Sequence, residues 1–385
     1  FVPYTQSVGG VIRVISFLKS LKNNDIKLIS LRKKNYGYFG FKKYVKNIGR
    51  IYIRTSNLEK KNFYYYILRI IKILFSNVLY LIGVDNNYFY LNQYDSEIKK
   101  ITKSFKPDFV IISSPPFSLF HLVKTVKKTL KKIKIILDYR DGWTNRINSF
   151  HLIPLKMFML KREYEILKHS DHILCATNKI YKDLIIAGNK NKKTLLTNGF
   201  FSKYKKKIKS TKTEKIKIGY FGLISDSSSS FRDLKVIYNS VKNNSKLHFS
   251  FYGNSIINNN LIKNYKNFIF KKNIPYFDAL SKMSKFNYLL ILHTEKSTSK
   301  EVVTGKFYEY LSSGVPIIVV SNGETEVGKL VKRYNLGLVI DYNKKSLSNF
   351  FDNLVYENRK FISKKNLRIF SRDYQNKKLI KIINS

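Results

Sequence analysis

Short apolar runs alternate with segments of helical spacing along most of the chain. The runs Asp108–Ser113 and Ile216–Phe221 are mostly apolar and end at polar, Gly or Pro residues, a pattern typical of strands buried in a parallel sheet. Between such runs, Phe277–Met283 and Glu326–Tyr334 repeat their apolar residues every three or four positions, as amphipathic helices do. Helices are also predicted at Val11–Leu21 and from Leu119 to about Lys132. Further predicted strands are Ile26–Leu31, Ile173–Ala176, Lys193–Leu196, Leu247–Tyr252, Phe268–Phe270, Tyr288–Leu292, Pro316–Val320 and Gly337–Ile340. Strands that alternate with helices predict an α/β fold built on parallel sheets.

The alternation occurs in two halves, which predicts two doubly wound domains. The first covers residues 1–200 and the second residues 216–360. Residues 201–215, rich in Lys and poor in large apolar side chains, form the predicted linker, and residues 361–385 include a final helix. Phe1–Pro3 has the pattern of a strand end just before a glycine turn, so we expect the first strand of the first domain to be missing from this sequence.

The charge of the chain is strongly unbalanced. Its 385 residues include 72 Lys and Arg against 25 Asp and Glu, a formal net charge of +47. This charge favours an anionic partner: a phospholipid surface, a nucleic acid or a phosphorylated substrate. The single cysteine, Cys175, excludes an internal disulfide and a multi-cysteine metal site, and it favours a reducing, cytoplasmic location.

The most membrane-like stretch is Phe63–Val84, which contains Arg69 and Lys72. Burying these two charges in a bilayer would cost about 2.5–3.5 kcal/mol each. We therefore interpret the stretch as an amphipathic helix, packed on a core or lying on a membrane surface, and expect no transmembrane segment. The sequence shows no apolar core with a small-residue cleavage site, so a signal peptide is not expected.

The strongest chemical signal lies around two glutamates eight positions apart, Glu301 and Glu309. If Thr304 and Gly305 open a helix, its free N–H groups and dipole would attract a phosphate. Lys306 would add a cation, and Glu309 would accept the hydroxyls of a ribose. From charge spacing alone, a solvated surface helix explains the pattern equally well.

A second signal follows the predicted strand Ile133–Leu137, in the segment Asp138–Trp143. Loops at the carboxyl ends of parallel strands bind ligands in such folds. Here Arg140 stands between carboxylates, among them Asp141. From the residues alone, a structural ion-pair cluster is favoured over a catalytic role, because ion pairs often carry no chemistry.

Other classical sites are absent from the sequence. It contains no phosphate-binding P-loop, no Gly-x-Gly-x-x-Gly and no Gly-x-Ser-x-Gly, which disfavours ATPase, dehydrogenase and α/β-hydrolase functions. His169 and His172 flank Asp171, but zinc sites usually need three or four well-spaced ligands. We therefore expect no metal. His121 follows the Ser-Pro-Pro turn and is a candidate for contact with an acceptor substrate, although an ordinary histidine on a helix face is the commoner explanation of such a position.

The segment from Glu301 to Leu311 resembles the donor-site signature of retaining glycosyltransferases of family 4, which have the GT-B fold. That signature has two glutamates separated by seven residues, and a bacterial subgroup writes it as Ser/Thr-x-Lys-x-x-Glu-Tyr-Leu. The resemblance implies that Glu309 binds the ribose of a nucleotide-sugar. It also implies that Thr304, Gly305 and Lys306 face the phosphates and that Glu301 lies near the donor sugar.

Further motifs resemble the same family over nearly the whole chain. Gly222 ends the first strand of the second domain, where the family has a turn near the donor phosphates, and Arg232 and Lys235 are candidate phosphate cations. Solvated surface charges explain these two cations at least as well. The final helix resembles the one that crosses back to the first domain in this family.

On the acceptor side, the pattern Asp-x-Arg-Asp-x-Trp and the turn at Gly9 and Gly10 resemble the family's amino-terminal domain. The resemblance implies that Arg140 and Asp141, together with Glu301, are the catalytic candidates. It implies two Rossmann-like domains facing a cleft.

The resulting hypothesis is a retaining glycosyltransferase that moves a sugar from a nucleotide-sugar, with UDP the commonest carrier, to a lipid-linked or saccharide acceptor in cell-surface polysaccharide synthesis. No cofactor or metal is expected, and the basic surface would hold the enzyme at the inner face of the plasma membrane. Two alternatives stay open. One is a nucleic-acid-binding protein, since the basic residues could contact phosphates and the many Tyr and Phe rings could stack on bases. The other is a GT-B scaffold with a degraded site.

Overall fold

A computed structural model describes most of the chain, namely residues 8–30, 49–52, 91–144, 153–184, 192–201, 215–227, 230, 232–293, 302–321, 323–342, 344–354 and 366–385. Contacts divide the described residues into two compact units, the first ending at Thr197 and including Asn376–Ser385, the second spanning Asn198–Gln375. Phe63–Val84, Glu301 and most of the predicted linker lie outside the described residues. Within the described part, no helix is both long and apolar enough to cross a membrane.

The first unit is built around a parallel sheet of short apolar strands. Its described strands are β1 (Lys27–Ser30), β2 (Gly49–Tyr52), β3 (Phe109–Ser114), β4 (Lys134–Tyr139), β5 (His172–Cys175) and β6 (Lys192–Leu195). The last four form one sheet in the order β3-β4-β5-β6, and β1 pairs with β2; every pair is parallel. Its described helices are α1 (Val8–Ser20), α2 (Leu91–Phe105), α3 (Leu122–Thr129), α4 (Ile153–Leu167) and α5 (Asn178–Asp183).

The second unit has a parallel sheet that is wound in both directions from its first strand. Its described strands are β7 (Ile216–Phe221), β8 (Ile224–Ser225), β9 (Leu247–Tyr252), β10 (Ser255–Ile256), β11 (Phe268–Lys271), β12 (Tyr288–His293), β13 (Ile317–Ser321) and β14 (Gly337–Asp341). The main sheet has the order β11-β9-β7-β12-β13-β14. The chain order therefore reverses between β7 and β12, as in dinucleotide-binding folds.

The helices of the second unit connect these strands. They are α6 (Lys235–Val241), α7 (Asn260–Lys263), α8 (Tyr276–Met283), α9 (Gly305–Ser313), α10 (Glu326–Arg333), α11 (Lys344–Asp352) and α12 (Arg372–Asn384). α12 begins in the second unit and continues into the residues of the first. There, buried Leu379 packs in a cluster with Phe17, Leu21 and Ile136.

The fold class predicted from the sequence is confirmed, because both units are α/β with parallel sheets. Two local predictions were wrong. Gly9 and Gly10 lie inside α1, which begins at Val8, and they do not form a turn before it. The predicted helix from Leu119 to about Lys132 is a 3₁₀ turn at Phe117–His121 followed by α3, which ends at Thr129.

Candidate functional site

The second unit offers a ligand site where its strand order reverses. In open α/β sheets, ligands bind outside the carboxyl ends of the strands at this switch point. β7 ends there at Phe221 and β12 at His293, which are followed in the chain by Gly222 and, further on, by helix α9. The side chains at these strand ends are therefore the candidates for ligand binding.

Gly222 supplies a backbone conformation that other residues adopt poorly. Its φ is +123°, and its N–H donates to the Tyr252 carbonyl at 2.8 Å. A Cβ on Gly222 would lie 3.3 Å from the Lys306 ammonium nitrogen, and a Cβ on Gly253 would lie 2.4 Å from the Gly222 carbonyl oxygen. Two glycines thus let the turn after β7 approach the next strand and the lysine closely.

Lys306 lies in the first turn of α9 and is held over an aromatic ring. Its ammonium nitrogen is 3.8 Å from the centroid of the Tyr220 ring, a cation–π contact. The Tyr220 hydroxyl donates to the Leu223 carbonyl at 2.7 Å, which orients the ring. Burial, reinforced by the charge of Arg232, lowers the pKa of Lys306 well below its usual value. An anion bound at this point would favour the charged form of Lys306 and so counteract both burial and the repulsion from Arg232.

Glu309 stands one turn further along α9. Burial raises its pKa to about 7, while the charges of Arg372 and then Lys306 oppose the shift. Arg372 is the first residue of α12 and is itself 5% exposed. Its guanidinium lies 5.2 Å from the centroid of the Phe201 ring. A carboxylate is suited to accept hydrogen bonds from two hydroxyls.

The start of α9 presents unsatisfied polar groups. Thr304 is the N-cap residue, in extended conformation, and its side chain makes no capping bond. Its hydroxyl oxygen is buried and has no hydrogen-bond partner among the described residues. Because the first N–H groups of a helix also lack partners within the helix, this end combines free donors with the positive end of the dipole.

The structure adds three residues that the sequence reasoning missed: Tyr220, His293 and Arg372. Burial, followed by the charges of Lys306 and Arg232, lowers the pKa of His293 to about 3, so this imidazole is neutral at physiological pH. His293 ends a strand whose six residues are all buried, and a polar residue at the end of an apolar run was the available signal. Arg372 lies too far away in sequence to be assigned by any local pattern.

The predicted donor residues fall into two groups. Contacts and electrostatic interactions link Gly222, Arg232, Lys306 and Glu309, and Thr304 and Gly305 begin the helix that carries the last two. We call these six residues the α9 cluster. Lys235 is exposed at the start of α6, and no contact with the cluster is found for it in the described part of the chain.

In the first unit, the loop after β4 is fixed by hydrogen bonds. The Arg140 backbone N–H and Nε donate to the Ser114 carbonyl at 3.0 and 3.1 Å, and its Nη2 donates to the Pro115 carbonyl. Asp138, just upstream, is fully buried and forms an ion pair with Arg13. Asp141 is half-buried. The charges of Asp138 and then Asp141 act on the Arg140 guanidinium and oppose the lowering of its pKa by burial.

His121 and Gly10 are both half-buried in the first unit. The His121 ring lies edge-on to Trp143 with 6.3 Å between centroids. Burial, followed by the charges of Arg162 and Lys124, lowers the pKa of His121 to about 4. It is therefore a neutral imidazole at neutral pH, able to accept a proton or a hydrogen bond but not to act as a cation.

A buried carboxyl lies behind the same loop. Glu163 of α4 is 5% exposed, and its Oε1 has no hydrogen-bond partner among the described residues. Burial raises its pKa to about 7, an effect partly offset by the Tyr139 hydroxyl and the Thr144 backbone. Glu163 was not singled out in the sequence because its neighbours on α4 are charged as well.

The histidine pair that might suggest a metal site has other partners. His172 Nε2 lies 2.9 Å from the Thr194 hydroxyl, and Asp171 pairs with Lys127 at 2.9 Å. Within the described residues, no group of three or more His, Cys, Asp or Glu side chains is placed to hold a metal ion.

Comparisons with known proteins place this geometry in a structural class. No family model matches the sequence, and no curated protein matches it. Among solved structures, the chain is similar to Anabaena Alr3699/HepE in complex with UDP and glucose, with a TM-score of 0.63 and 11% identity over 99% of this chain and 98% of that one. It is also similar to the lipopolysaccharide outer core galactosyltransferase WaaB, with a TM-score of 0.59 and 13% identity over 99% and 97%. The chain has the GT-B fold.

The same fold also covers a different activity. The UDP-GlcNAc 2-epimerase from Methanocaldococcus jannaschii is similar to the chain with a TM-score of 0.57 and 13% identity, over 99% of this chain and 98% of that one. At these identities the likeness establishes the fold, and function has to be argued from the site.

Proposed function

We propose that the chain is a glycosyltransferase that binds a nucleotide-sugar at the α9 cluster. The observation that carries the proposal is the position of Lys306, which lies against the Gly222 turn in the first turn of α9 and within electrostatic reach of Arg232, with Glu309 one turn further in. Two cations share this site with one carboxylate whose pKa is raised by burial to about 7. A diphosphate would neutralise the cations, and a ribose would use the carboxylate.

In the proposed reaction, the bond between the anomeric carbon of the sugar and the diphosphate oxygen breaks, and its electron pair leaves with the diphosphate. The acceptor hydroxyl forms the new bond to that carbon and passes its proton to the departing diphosphate oxygen. Lys306, Arg232 and the helix dipole stabilise the charge that develops on the leaving group, an electrostatic role. Retention of configuration is part of the proposal, and no protein nucleophile is assigned.

The finer assignments follow the family resemblance. We propose UDP as the nucleotide, which is also what two of the similar structures contain or act on by their descriptions. Arg140, Asp141 and Glu301 are proposed to act at the sugar-transfer step, with Gly9, Gly10 and His121 on the acceptor side. Thr304 and Gly305 would face the phosphates. The reaction is proposed to need no metal.

The acceptor is proposed to be a lipid-linked or saccharide molecule in surface-polysaccharide synthesis. The net charge of +47 would bring the enzyme to the anionic inner face of the plasma membrane. A nucleic-acid role is less favoured, because the positive charge is spread along the chain, with no Arg-rich run and no recognisable nucleic-acid-reading motif in the sequence.

The test is a product analysis. The protein is incubated with a panel of UDP-, GDP- and ADP-sugars, with and without a lipid extract from membranes, in the presence and absence of EDTA. Chromatographic separation of the sugar nucleotides, followed by mass spectrometry, then distinguishes three outcomes. A nucleoside diphosphate together with a glycosylated lipid supports a transferase, an isomerised sugar nucleotide supports an epimerase, and unchanged donor supports a degraded scaffold. Loss of activity with EDTA would contradict the metal-free proposal.

A further inference from the structure

The outward face of α4 is apolar where a surface helix is usually polar. Its inner face, with Met159, Ile166 and Leu167, belongs to the core of the first unit. Its outer face exposes Met157 by 65% and Phe158 by 55%. A helix with apolar residues on both sides is expected either in a larger core or against a second apolar phase.

Within the described part of the first unit, the exposed large hydrophobic side chains are Met157, Phe158 and Tyr164, and all three belong to α4. Met157 and Tyr164 are seven positions apart, about two turns, and therefore lie on one side of the helix, with Phe158 about 100° round from Met157. Single exposed apolar residues are common, but a cluster indicates an interaction surface.

The residues around the cluster are mostly basic. Lys161 and Lys168 are exposed on the same side, between and beyond the apolar residues, and Lys156 is half-buried beside Met157. The one acidic neighbour, Glu165, is paired with Lys168 at 2.9 Å. Interfacial membrane helices, which lie parallel to the bilayer surface, combine large apolar side chains with lysines in this way.

We propose that the outer face of α4, formed by Met157, Phe158, Lys161, Tyr164 and Lys168, docks the protein on an anionic lipid bilayer. Met157 and Phe158 enter the acyl boundary, Tyr164 lies at the headgroup level, and the two lysines contact lipid phosphates. Charge complementarity selects this occupant. A second copy of the chain would bring lysines against lysines, whereas an anionic bilayer matches both the apolar and the basic residues.

The position of α4 connects the docking face with the candidate acceptor residues of the proposed function. Arg162 of α4 acts electrostatically on His121, and Glu163 adjoins Tyr139 and the loop that follows it. The docking face is therefore carried by the helix that supports the candidate acceptor residues. This link to a lipid-borne acceptor rests on the proposed function, whereas the docking itself does not.

The experiment is vesicle flotation of the full chain. Vesicles of phosphatidylcholine are compared with equimolar phosphatidylcholine and phosphatidylglycerol. The test variant is Met157→Ser with Phe158→Ser, and its matched control is Ile256→Ser with Leu261→Ser, which are exposed by 56% and 69% in the second unit. We expect binding to anionic vesicles to fall at least tenfold in the test variant and to stay unchanged in the control. Replacing Lys161 or Lys168 by Gln should weaken binding about fivefold each.

Insertion is measured separately with an environment-sensitive fluorophore on Phe158→Cys, compared with Leu261→Cys. The native Cys175 is buried, so the introduced thiol is the one labelled in the folded protein. A blue shift with anionic vesicles at position 158 and not at 261 is expected. Equal vesicle binding by parent and test variant would overturn the proposal, as would a test variant that changes only the oligomeric state in sedimentation. Nucleotide-sugar binding should be unchanged in the test variant, which separates failure of docking from failure of the donor site.

Discussion

The guanidinium of Arg13 and the carboxylate of Asp138 form an ion pair that is closed to solvent, with 2.7 Å between Nη2 and Oδ1 and side chains 1% and 0% exposed. Arg13 Nη2 also donates to the Leu196 carbonyl at 2.9 Å, and the Ser113 hydroxyl donates to Asp138 at 2.8 Å. The pair thus joins α1, the ends of β3 and β4, and the segment after β6. Every charge in it is satisfied, as a buried pair requires.

Removing one partner of this pair should destabilise the first unit. Asp138→Asn leaves Arg13 buried without its counter-charge, which we expect to cost about 3–5 kcal/mol in the free energy of unfolding by urea. The double variant Arg13→Met with Asp138→Leu should lose less than the sum of the two single changes, because no unpaired charge stays buried. A loss of less than about 0.5 kcal/mol in Asp138→Asn would show that the pair is not structural.

Two lysines predicted as phosphate ligands should behave differently. Lys306 is half-buried over Tyr220, whereas Lys235 is exposed. Lys306→Met should weaken nucleotide-sugar binding by about ten- to a hundredfold, the loss of a charge-assisted hydrogen bond. Lys235→Met should change the affinity by less than about threefold. Calorimetry on both variants measures these affinities. An equal loss of affinity in the two variants would contradict a place for Lys306 in the phosphate site.

The affinity for a nucleotide-sugar should depend on the ionisation of Glu309. Its pKa is raised to about 7, and ribose hydroxyls donate to the carboxylate and not to the acid. Affinity should therefore fall as the pH drops below 7, by up to about tenfold per unit. A sugar nucleotide is the right ligand, because its phosphates are diesters and do not titrate in this range. Glu309→Gln should bind weakly and should lose this fall in affinity at low pH.

Arg372 should position this carboxylate by favouring its charged form. Among the charges that oppose the raised pKa of Glu309, the charge of Arg372 has the largest effect. In Arg372→Gln the midpoint of the pH profile should move to higher pH, and high pH should restore binding. Arg372→Lys should keep the parent midpoint. A weaker affinity with an unchanged midpoint would assign Arg372 to a structural role alone.

Glu163 should make the first unit less stable at alkaline pH. Because its pKa of about 7 in the folded protein exceeds the ordinary value, the stability it contributes is complete below about pH 4.5 and is lost as the pH rises through 7. Glu163→Gln should match the parent at pH 4 and exceed it at pH 8 by an amount of the order of 3 kcal/mol. Glu165→Gln, two positions along the same helix, is the control and should show no such gain.

The sequence predicted most of the sheet strands to within one or two residues, because their apolar runs are continuous and end at polar, Gly or Pro residues. Ile216–Phe221 and Leu247–Tyr252 match the predicted bounds. It missed α2, in which polar and charged residues outnumber apolar ones, and it placed the start of α1 three residues late because Gly9 and Gly10 suggested a turn.

For the candidate site, local motifs were enough to bring the α9 cluster to attention. They could not show which cations lie in it. Lys235 and Arg232 are three positions apart, yet Lys235 is exposed while Arg232 acts on Lys306. Nor could they find Arg13 as the partner of Asp138, since the pair joins residues 125 positions apart. Long-range pairing of charges is set by topology and not by local sequence.

The most direct test of the donor site is thermal unfolding with UDP-, GDP- and ADP-sugars, on the parent chain, Glu309→Ala and the control Glu324→Ala, whose side chain is 74% exposed. At about a hundred times its dissociation constant, a ligand adds about 2.7 kcal/mol of stability. If the α9 cluster is the donor site, we expect such a gain with one nucleotide class, retained in Glu324→Ala and lost in Glu309→Ala. A folded parent chain that no sugar nucleotide stabilises, or a gain that survives in Glu309→Ala, would contradict a donor site at this cluster.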